Sequence, residues 1–457
     1  MANKKFEAFK KYVNKKEITV VGIGISNLPL IRLLCECGAN VTACDKKTAS
    51  ELGEAFNELK ALGVNLVCGE NYLDDLKGEI IFKTPGMRFD HPSLIKARES
   101  GSIVTSEMEV FFEVCPSKII AVTGSDGKTT TTTLIYKILT QSGYKCHLGG
   151  NIGNPLLCDA DKINEDDITV LELSSFQLHT MKKSADVSVV TNITPNHLDV
   201  HKTYEEYIEA KKNIFINQDE NGVLVLNRHN EEAFKCASES KGEVRFFGYE
   251  KECSVYSDGG AIYAFGEKIM DVCDIKIPGE HNVQNYMTAI AATYPLCKKE
   301  AVLSVARSFG GVEHRIEFVR EFEGVRYYNS SIDSSPNRTI NTLNVFDKVI
   351  LIAGGKDKGI SYDALGEAIA KKVKHLVLIG KTGPVIKASL DKYISENEIG
   401  ADIKTDFCAT YEEAVNCARL SAIEGDVVLL SNASTSFDMF KNFEERGCLF
   451  KKIVNSL

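Results

Sequence analysis

Short apolar runs alternating with amphipathic stretches set the strongest limit on what this chain can fold into. ITVVGIG (18–24) precedes a helical run near Asn27–Cys37, and NVTACD (40–45), a further helix, NLVCG (65–69) and EIIFKTPG (79–86) follow. KIIAVTG (118–124) opens a second series, continued by ITVLELSS (168–175) and ADVSVVTNIT (185–194). A third starts near Gly311, with VRYYNSS, KVILIAGG, HLVLIG and DVVLLSN as strands. Successive parallel strands need a crossover, and a helix fills it, so this rhythm implies α/β structure with parallel, doubly wound sheets. Between Gly242 and Pro278 the pattern breaks into short strands and turns, which predicts a small antiparallel annex. An apolar-periodic helix is expected from about His281 to Cys297. At 457 residues the chain exceeds one ordinary core, and the three series predict domains at 1–105, 106–310 and 311–457.

Composition excludes several classes. Hydrophobic residues at 44% and charged residues at 26% are a globular balance rather than a disordered one. A net charge of −9 argues against broad binding to nucleic acid or anionic membrane. The fourteen cysteines are scattered, several inside apolar runs and none in a CxxC pair, which fits reduced thiols and speaks against zinc. The N-terminus lacks the apolar stretch of a signal peptide, and no run approaches a membrane span. A soluble, cytoplasmic monomer acting on small molecules is expected, with no nucleic-acid or membrane partner.

Residues 121–130, Ala-Val-Thr-Gly-Ser-Asp-Gly-Lys-Thr-Thr, lie between a buried strand and a helix. Gly124 and Gly127 let backbone amides turn toward phosphate oxygens, and the helix N-terminus adds its positive dipole end. Lys128 can reach the β and γ phosphates, and the Thr129 hydroxyl suits Mg²⁺. The general phosphate-loop pattern has glycine where this chain has Val122. Glu172, ending ITVLE, can supply the metal's carboxylate, although alone it would read as a solvent-facing strand end. Near the N-terminus, Gly22-Ile-Gly24-Ile25-Ser26-Asn27 runs from strand to helix, with Asp45 ending the next strand. A dinucleotide fingerprint would have glycine at Asn27, but the two glycines still let a diphosphate approach the helix N-terminus.

The segment 191–215, TNITPNHLDVHKTYEEYIEAKKNIF, places Lys211 inside the apolar stripe of a helix starting at Thr203, four residues from both Tyr207 and Phe215. One reading is a snorkelling lysine. The other is a desolvated amine of depressed pKa that adds CO₂, and whose carbamate binds Mg²⁺ near His197.

GSDGKTT, LELSSFQL, TNITPNHLD with EAKKNIF, GEHNVQN, GVEHRIE and SFDMFKNFEERG occur in the order seen in Mur ligases, and the chain resembles that family over nearly its whole length. The last motif and SSFQL are similar to the members that add D-glutamate. The resemblance implies three domains: a Rossmann-like UDP-binding domain, a P-loop ATPase-like domain with the annex, and a C-terminal Rossmann-like domain. It implies an ATP-dependent amide ligase joining D-glutamate to UDP-N-acetylmuramoyl-L-alanine through an acyl phosphate in peptidoglycan precursor synthesis. ATP and two Mg²⁺ ions are expected, Thr129 and Glu172 holding one ion, His197 and carbamylated Lys211 the other. Gly124, Ser125, Asp126, Gly127, Lys128, Thr129 and Thr130, with Asn282, Arg315 and Asp333, would bind ATP. Ile25, Ser26, Asp45, Lys46 and Asn151 would hold the UDP-substrate. Asn337, Lys358, Ser436, Phe437 and Phe443 would meet D-glutamate. Several have plainer alternatives: Asn151 as a turn residue, Asn282 and Asp333 as helix caps, Arg315 as a surface charge, and Phe437 and Phe443 as core. Many members read Asn-Asp-Ser-Lys-Ala-Thr-Asn where this chain has Ile-Asp-Ser-Ser-Pro-Asn-Arg (332–338), so Ser335 replaces a lysine and Asn337 a threonine. The rivals are another ligase of the superfamily, such as folylpolyglutamate synthase or a different Mur ligase, a Rossmann oxidoreductase, and a P-loop switch without chemistry.

Overall fold

In the computed structural model, which describes residues 3–24, 26–195, 201–357, 359–397 and 399–457, each series of apolar runs builds its own sheet. The first sheet holds β1 (Glu17–Val21), β2 (Asn40–Asp45), β3 (Asn65–Cys68), β4 (Ile80–Phe82) and β5 (Ile103–Thr105), all parallel, in the order β3-β2-β1-β4-β5. The second holds β6 (Lys118–Thr123), β7 (Cys146–Gly150), β8 (Ile168–Glu172), β9 (Val187–Val190), β10 (Val223–Asn227), β11 (Glu243–Gly248), β12 (Val255–Asp258), β13 (Ala261–Ala264) and β14 (Glu267–Asp271). β6 lies between β8 and β9. The third, in the order β15-β16-β20-β17-β18-β19, holds β15 (Glu317–Phe322), β16 (Val325–Asn329), β17 (Val349–Ala353), β18 (Val373–Ile379), β19 (Lys404–Cys408) and β20 (Val427–Leu430).

The stretch 242–278 holds the expected small antiparallel part, as the outer edge of the second sheet. β11 and β12 pair in parallel, β12, β13 and β14 are antiparallel, and all continue the second sheet outward from β10. Hydrogen bonding along an open strand edge favours such extension over a free-standing hairpin. The helix after it spans Glu280–Thr293, ending before Cys297.

The first two sheets belong to one compact unit, Met1–Ile275 with Glu280–Arg307, and the third to another, Lys276–Gly279 with Ser308–Leu457. One large core runs through both sheets of the first unit, taking in Phe6, Leu30 and Leu34 as well as Phe111, Leu157 and Ile163, and a smaller one gathers Val21, Ile81, Leu94 and Ala97. Asn3 fastens the N-terminal helix there, its Nδ2 donating to Val114 O (3.0 Å) and Ala160 O (2.9 Å). In the second unit the strand alternation is plain. Leu351, Leu376, Leu378 and Leu429 fill one core, while Ile350, Ile352, Val377 and Val428 fill another. Two buried faces demand the continuous apolar strands seen in the sequence.

Candidate active site

Val122 is fully buried and pairs with Glu172 and Val189, so β6 runs on to Thr123 and the turn starts at Gly124. That is why glycine is not needed at 122. Gly124 has φ +152°, and a Cβ there would overlap Thr191 Oγ1. Ser125 N and Asp126 N donate to Asn192 Oδ1 at 3.2 and 2.9 Å, and Thr191 Oγ1 donates to Asp126 O at 2.6 Å. Gly127 has φ +77° and caps the helix Lys128–Gln141, with Asn285 Oδ1 only 2.6 Å from where a Cβ would sit. Asn285 accepts from Thr131 Oγ1 (3.2 Å) and donates to Asn282 Oδ1 (3.1 Å). Asn282 is therefore a buried residue inside its helix, not its cap. Thr129 and Thr130 lie half-buried in the first turn after the loop.

Two lysines converge on this loop. Lys128 Nζ donates to Gly124 O (3.0 Å) and Ser125 O (2.9 Å). Lys211, on the helix Tyr204–Lys212 capped by Thr203, is 2% exposed and donates to the same Gly124 O at 2.7 Å. Its ammonium stands 4.6 Å from the Tyr207 ring centroid. Burial first, then the charge of Lys128, draws the Lys211 pKa well below the usual lysine value, with Asp126 opposing. The snorkelling alternative fails, because the amine ends in the interior. Tyr207 also reaches the loop, its hydroxyl 2.9 Å from Ser125 Oγ.

The β6–β8 register brings Glu172 beside the loop strand. Glu172 is 2% exposed; Asn151 Nδ2 donates to its Oε1 at 3.0 Å, while its buried Oε2 accepts no hydrogen bond among the described residues. Asn151 sits in a turn after Gly150, yet its side chain serves Glu172. In the first sheet, Asp45 Oδ2 accepts from Ile23 N (2.6 Å) and Oδ1 from Lys47 N (2.8 Å), so it braces the glycine turn. Asn27 Nδ2 folds back onto Val21 O (3.0 Å) and Gly22 O (3.1 Å), a bond that glycine could not make. Ser26 is half-buried ahead of that helix, and Lys46 is exposed. Ile25, His197 and Lys358 lie outside the described residues.

In the second unit Asp333 is not a helix cap. Ser335 holds that position before the helix Pro336–Leu343, whose first residue can be proline because its amide needs no partner. Asp333 is buried, accepting from Thr342 Oγ1 (2.7 Å) and Ser431 Oγ (2.8 Å). Burial raises its pKa against those hydroxyls and the charge of Arg315. Ser436 is buried, and Asn337 is exposed on the first turn of its helix. Phe437 is 62% exposed in a turn, which removes the core alternative for it. Phe443 opens the helix Phe443–Asn455 and lies edge-on to His314 at 6.0 Å.

Comparison with known proteins decides the family. The Mur ligase middle domain matches residues 122–293, and the Mur ligase, glutamate ligase domain matches 314–433. The UDP-N-acetylmuramoylalanine–D-glutamate ligase of Ruminiclostridium cellulolyticum is 54% identical, covering 100% of both chains. The enzyme of that name from Acetivibrio thermocellus is also 54% identical, over 100% of this chain and 99% of its own. The chain belongs to the Mur ligase family. The fold agrees: a UDP-N-acetylmuramate–alanine ligase from Thermotoga maritima superposes with a TM-score of 0.58 at 20% identity, covering 96% of this chain and 99% of that one.

Mur ligases are ATP-dependent, with Mg²⁺ expected. The residues present in this Mur ligase fit a divalent cation, since a buried carboxylate oxygen without a hydrogen bond, such as Glu172 Oε2, is costly until a cation meets it. Sequence reading of the Mur ligase loop missed Thr191, Asn192 and Asn285. Asn192 carries a local signal, a polar residue two positions after β9, the strand that neighbours the loop strand.

Proposed function

We propose that this protein joins D-glutamate to the L-alanyl carboxylate of UDP-N-acetylmuramoyl-L-alanine with ATP, in the cytoplasm, as a step of peptidoglycan precursor synthesis. Likeness to enzymes of that name over the full chain supports the substrates. The observation that carries the chemistry is the buried Lys211 amine meeting Lys128 at one carbonyl of the phosphate loop.

A carboxylate repels nucleophiles. Transfer of the γ-phosphoryl group breaks the P–O bond to ADP and forms one to the carboxylate oxygen, giving an acyl phosphate. The D-glutamate amine then forms the C–N bond, loses a proton, and phosphate departs. Lys128 and the loop amides of Gly124 to Thr130 hold the phosphates through charge and dipole. Asn282, Arg315 and Asp333 complete the ATP site. Ile25, Ser26, Asp45, Lys46 and Asn151 hold the UDP-substrate, and Asn337, Lys358, Ser436, Phe437 and Phe443 hold D-glutamate. Lys211, as a neutral amine, adds CO₂ and releases a proton to become a carbamate. Two Mg²⁺ ions, one held by Thr129 and Glu172 and one by His197 and the carbamate, would supply positive charge to the crowded oxygens.

Phosphate release measured with ATP and Mg²⁺, omitting each substrate in turn, tests this reading. Turnover is expected only with both UDP-N-acetylmuramoyl-L-alanine and D-glutamate. Equal rates with meso-diaminopimelate or L-lysine would reassign the amine substrate.

A further inference from the structure

The helix Tyr204–Lys212 stands between two parts of the first unit. Tyr207 and Lys211, one turn apart, point to the phosphate loop and meet Ser125 Oγ and Gly124 O. Glu206 points elsewhere and reaches the segment that follows β4 of the first sheet.

Arg88, in that segment, organises the contact. Its Nε and Nη2 donate to Asp90 Oδ1 (2.8 Å) and Oδ2 (3.0 Å). Its Nη2 and Nη1 donate to Glu206 Oε1 (2.7 Å) and Oε2 (3.3 Å). Lys202, just ahead of the helix cap Thr203, closes the ring. Its Nζ donates to Asp90 Oδ2 and its amide to Glu206 Oε2, each at 2.6 Å. Two cations thus balance two carboxylates. The side chains of Arg88, Asp90 and Glu206 are 21%, 25% and 21% exposed, so solvent screens them only in part. The guanidinium holds both carboxylates below their usual pKa. The backbone that presents it is pinned too: His91 N donates to Arg88 O (3.2 Å) and Arg98 Nη2 to Phe89 O (2.8 Å).

Without the guanidinium, Asp90 and Glu206 would face each other with only Lys202 between them, and like charges at that range repel. The start of the helix would then move off the first sheet. Lys211 follows Glu206 by five residues, about 7.5 Å along the axis, so it would move with it. We infer that Arg88 is a positioning residue: by clamping Glu206 to Asp90 it fixes the helix that sets Lys211 at the phosphate loop. The catalytic consequence rests on the function proposed above; the clamp itself does not.

Hydrogen exchange of the full chain and steady-state kinetics test this on wild type, Arg88→Ala and Arg88→Lys. In Arg88→Ala the amides of the helix Tyr204–Lys212 should exchange about tenfold faster or more, while those of β6 and the helix Lys128–Gln141 keep the wild-type rate. Its kcat should fall about tenfold or more with KM for ATP within about twofold, because Lys128 and the loop amides are untouched. Arg88→Lys restores a charge but not the paired forks, and should recover part of both losses. It carries the same contrast against wild type if Arg88→Ala does not fold. Unchanged exchange in the helix, faster exchange spread evenly over the chain, or kcat within twofold of wild type in both variants would overturn the assignment. Wild type that never uses D-glutamate would instead refute the proposed function, and exchange of the helix would then decide the Arg88 clamp.

Discussion

Lys211 carries the most chemistry of any single side chain here. Lys211→Ala is expected to lower kcat on the order of 10³-fold with an unchanged far-ultraviolet spectrum, because it removes a group proposed to organise charge in the transition state. Activity within a few-fold of wild type would remove the carbamate from the account. Glu107 gives a test of a different kind. It is buried, accepts from Leu157 N at 3.0 Å, and burial pushes its pKa up to about 7. Between the unfolded value of about 4.3 and pH 7 the folded chain holds the extra proton, so stability falls as pH rises through that window. Glu107→Gln keeps the acceptor and removes the ionisation. It should be more stable than wild type by up to about 3 kcal/mol at pH 8 and equal to it below pH 4, as read by urea unfolding at each pH. A difference independent of pH would contradict this.

At the scale of elements, the phosphate loop depends on its neighbours as much as on its own glycines. Gly124→Ala would force a Cβ into Thr191 at a φ that side chains rarely adopt, so ATP affinity should fall about a hundredfold or more while the D-glutamate end is untouched. Equilibrium binding of a fluorescent ATP analogue reads this directly. The helix Phe443–Asn455 makes a similar point in the second unit. Its Arg446 is fully buried and donates to Ser331 Oγ (2.9 Å), Ser331 O (2.6 Å) and Ser434 O (3.1 Å), tying together the turns after β16 and β20. Arg446→Ala should cost about 3 kcal/mol or more, measured by denaturant unfolding, because buried acceptors lose their partner. Lys211 was legible from helical spacing, and the loop glycines from the strand and helix around them. Arg446 was not, since an arginine in a helix reads as a surface residue until partners 115 positions away are known. Asn285 was hidden for the same reason: its partners come from helix packing, which no local pattern records.

For the whole molecule, the three rhythms of apolar runs corresponded to three sheets, because each strand is buried by crossovers that the sequence spells out locally. What they did not reveal is that the first two sheets share one core, or that the annex is the outer edge of the second sheet; both depend on contacts distant in sequence. The function proposed for this Mur ligase comes down to one transfer, from ATP to a carboxylate oxygen of the UDP-substrate. UDP-N-acetylmuramoyl-L-alanine labelled with ¹⁸O in its alanyl carboxylate tests that transfer most directly. Each turnover with D-glutamate should place one ¹⁸O atom in the released phosphate, seen by mass spectrometry or ³¹P resonance. Amide product formed together with unlabelled phosphate would contradict it.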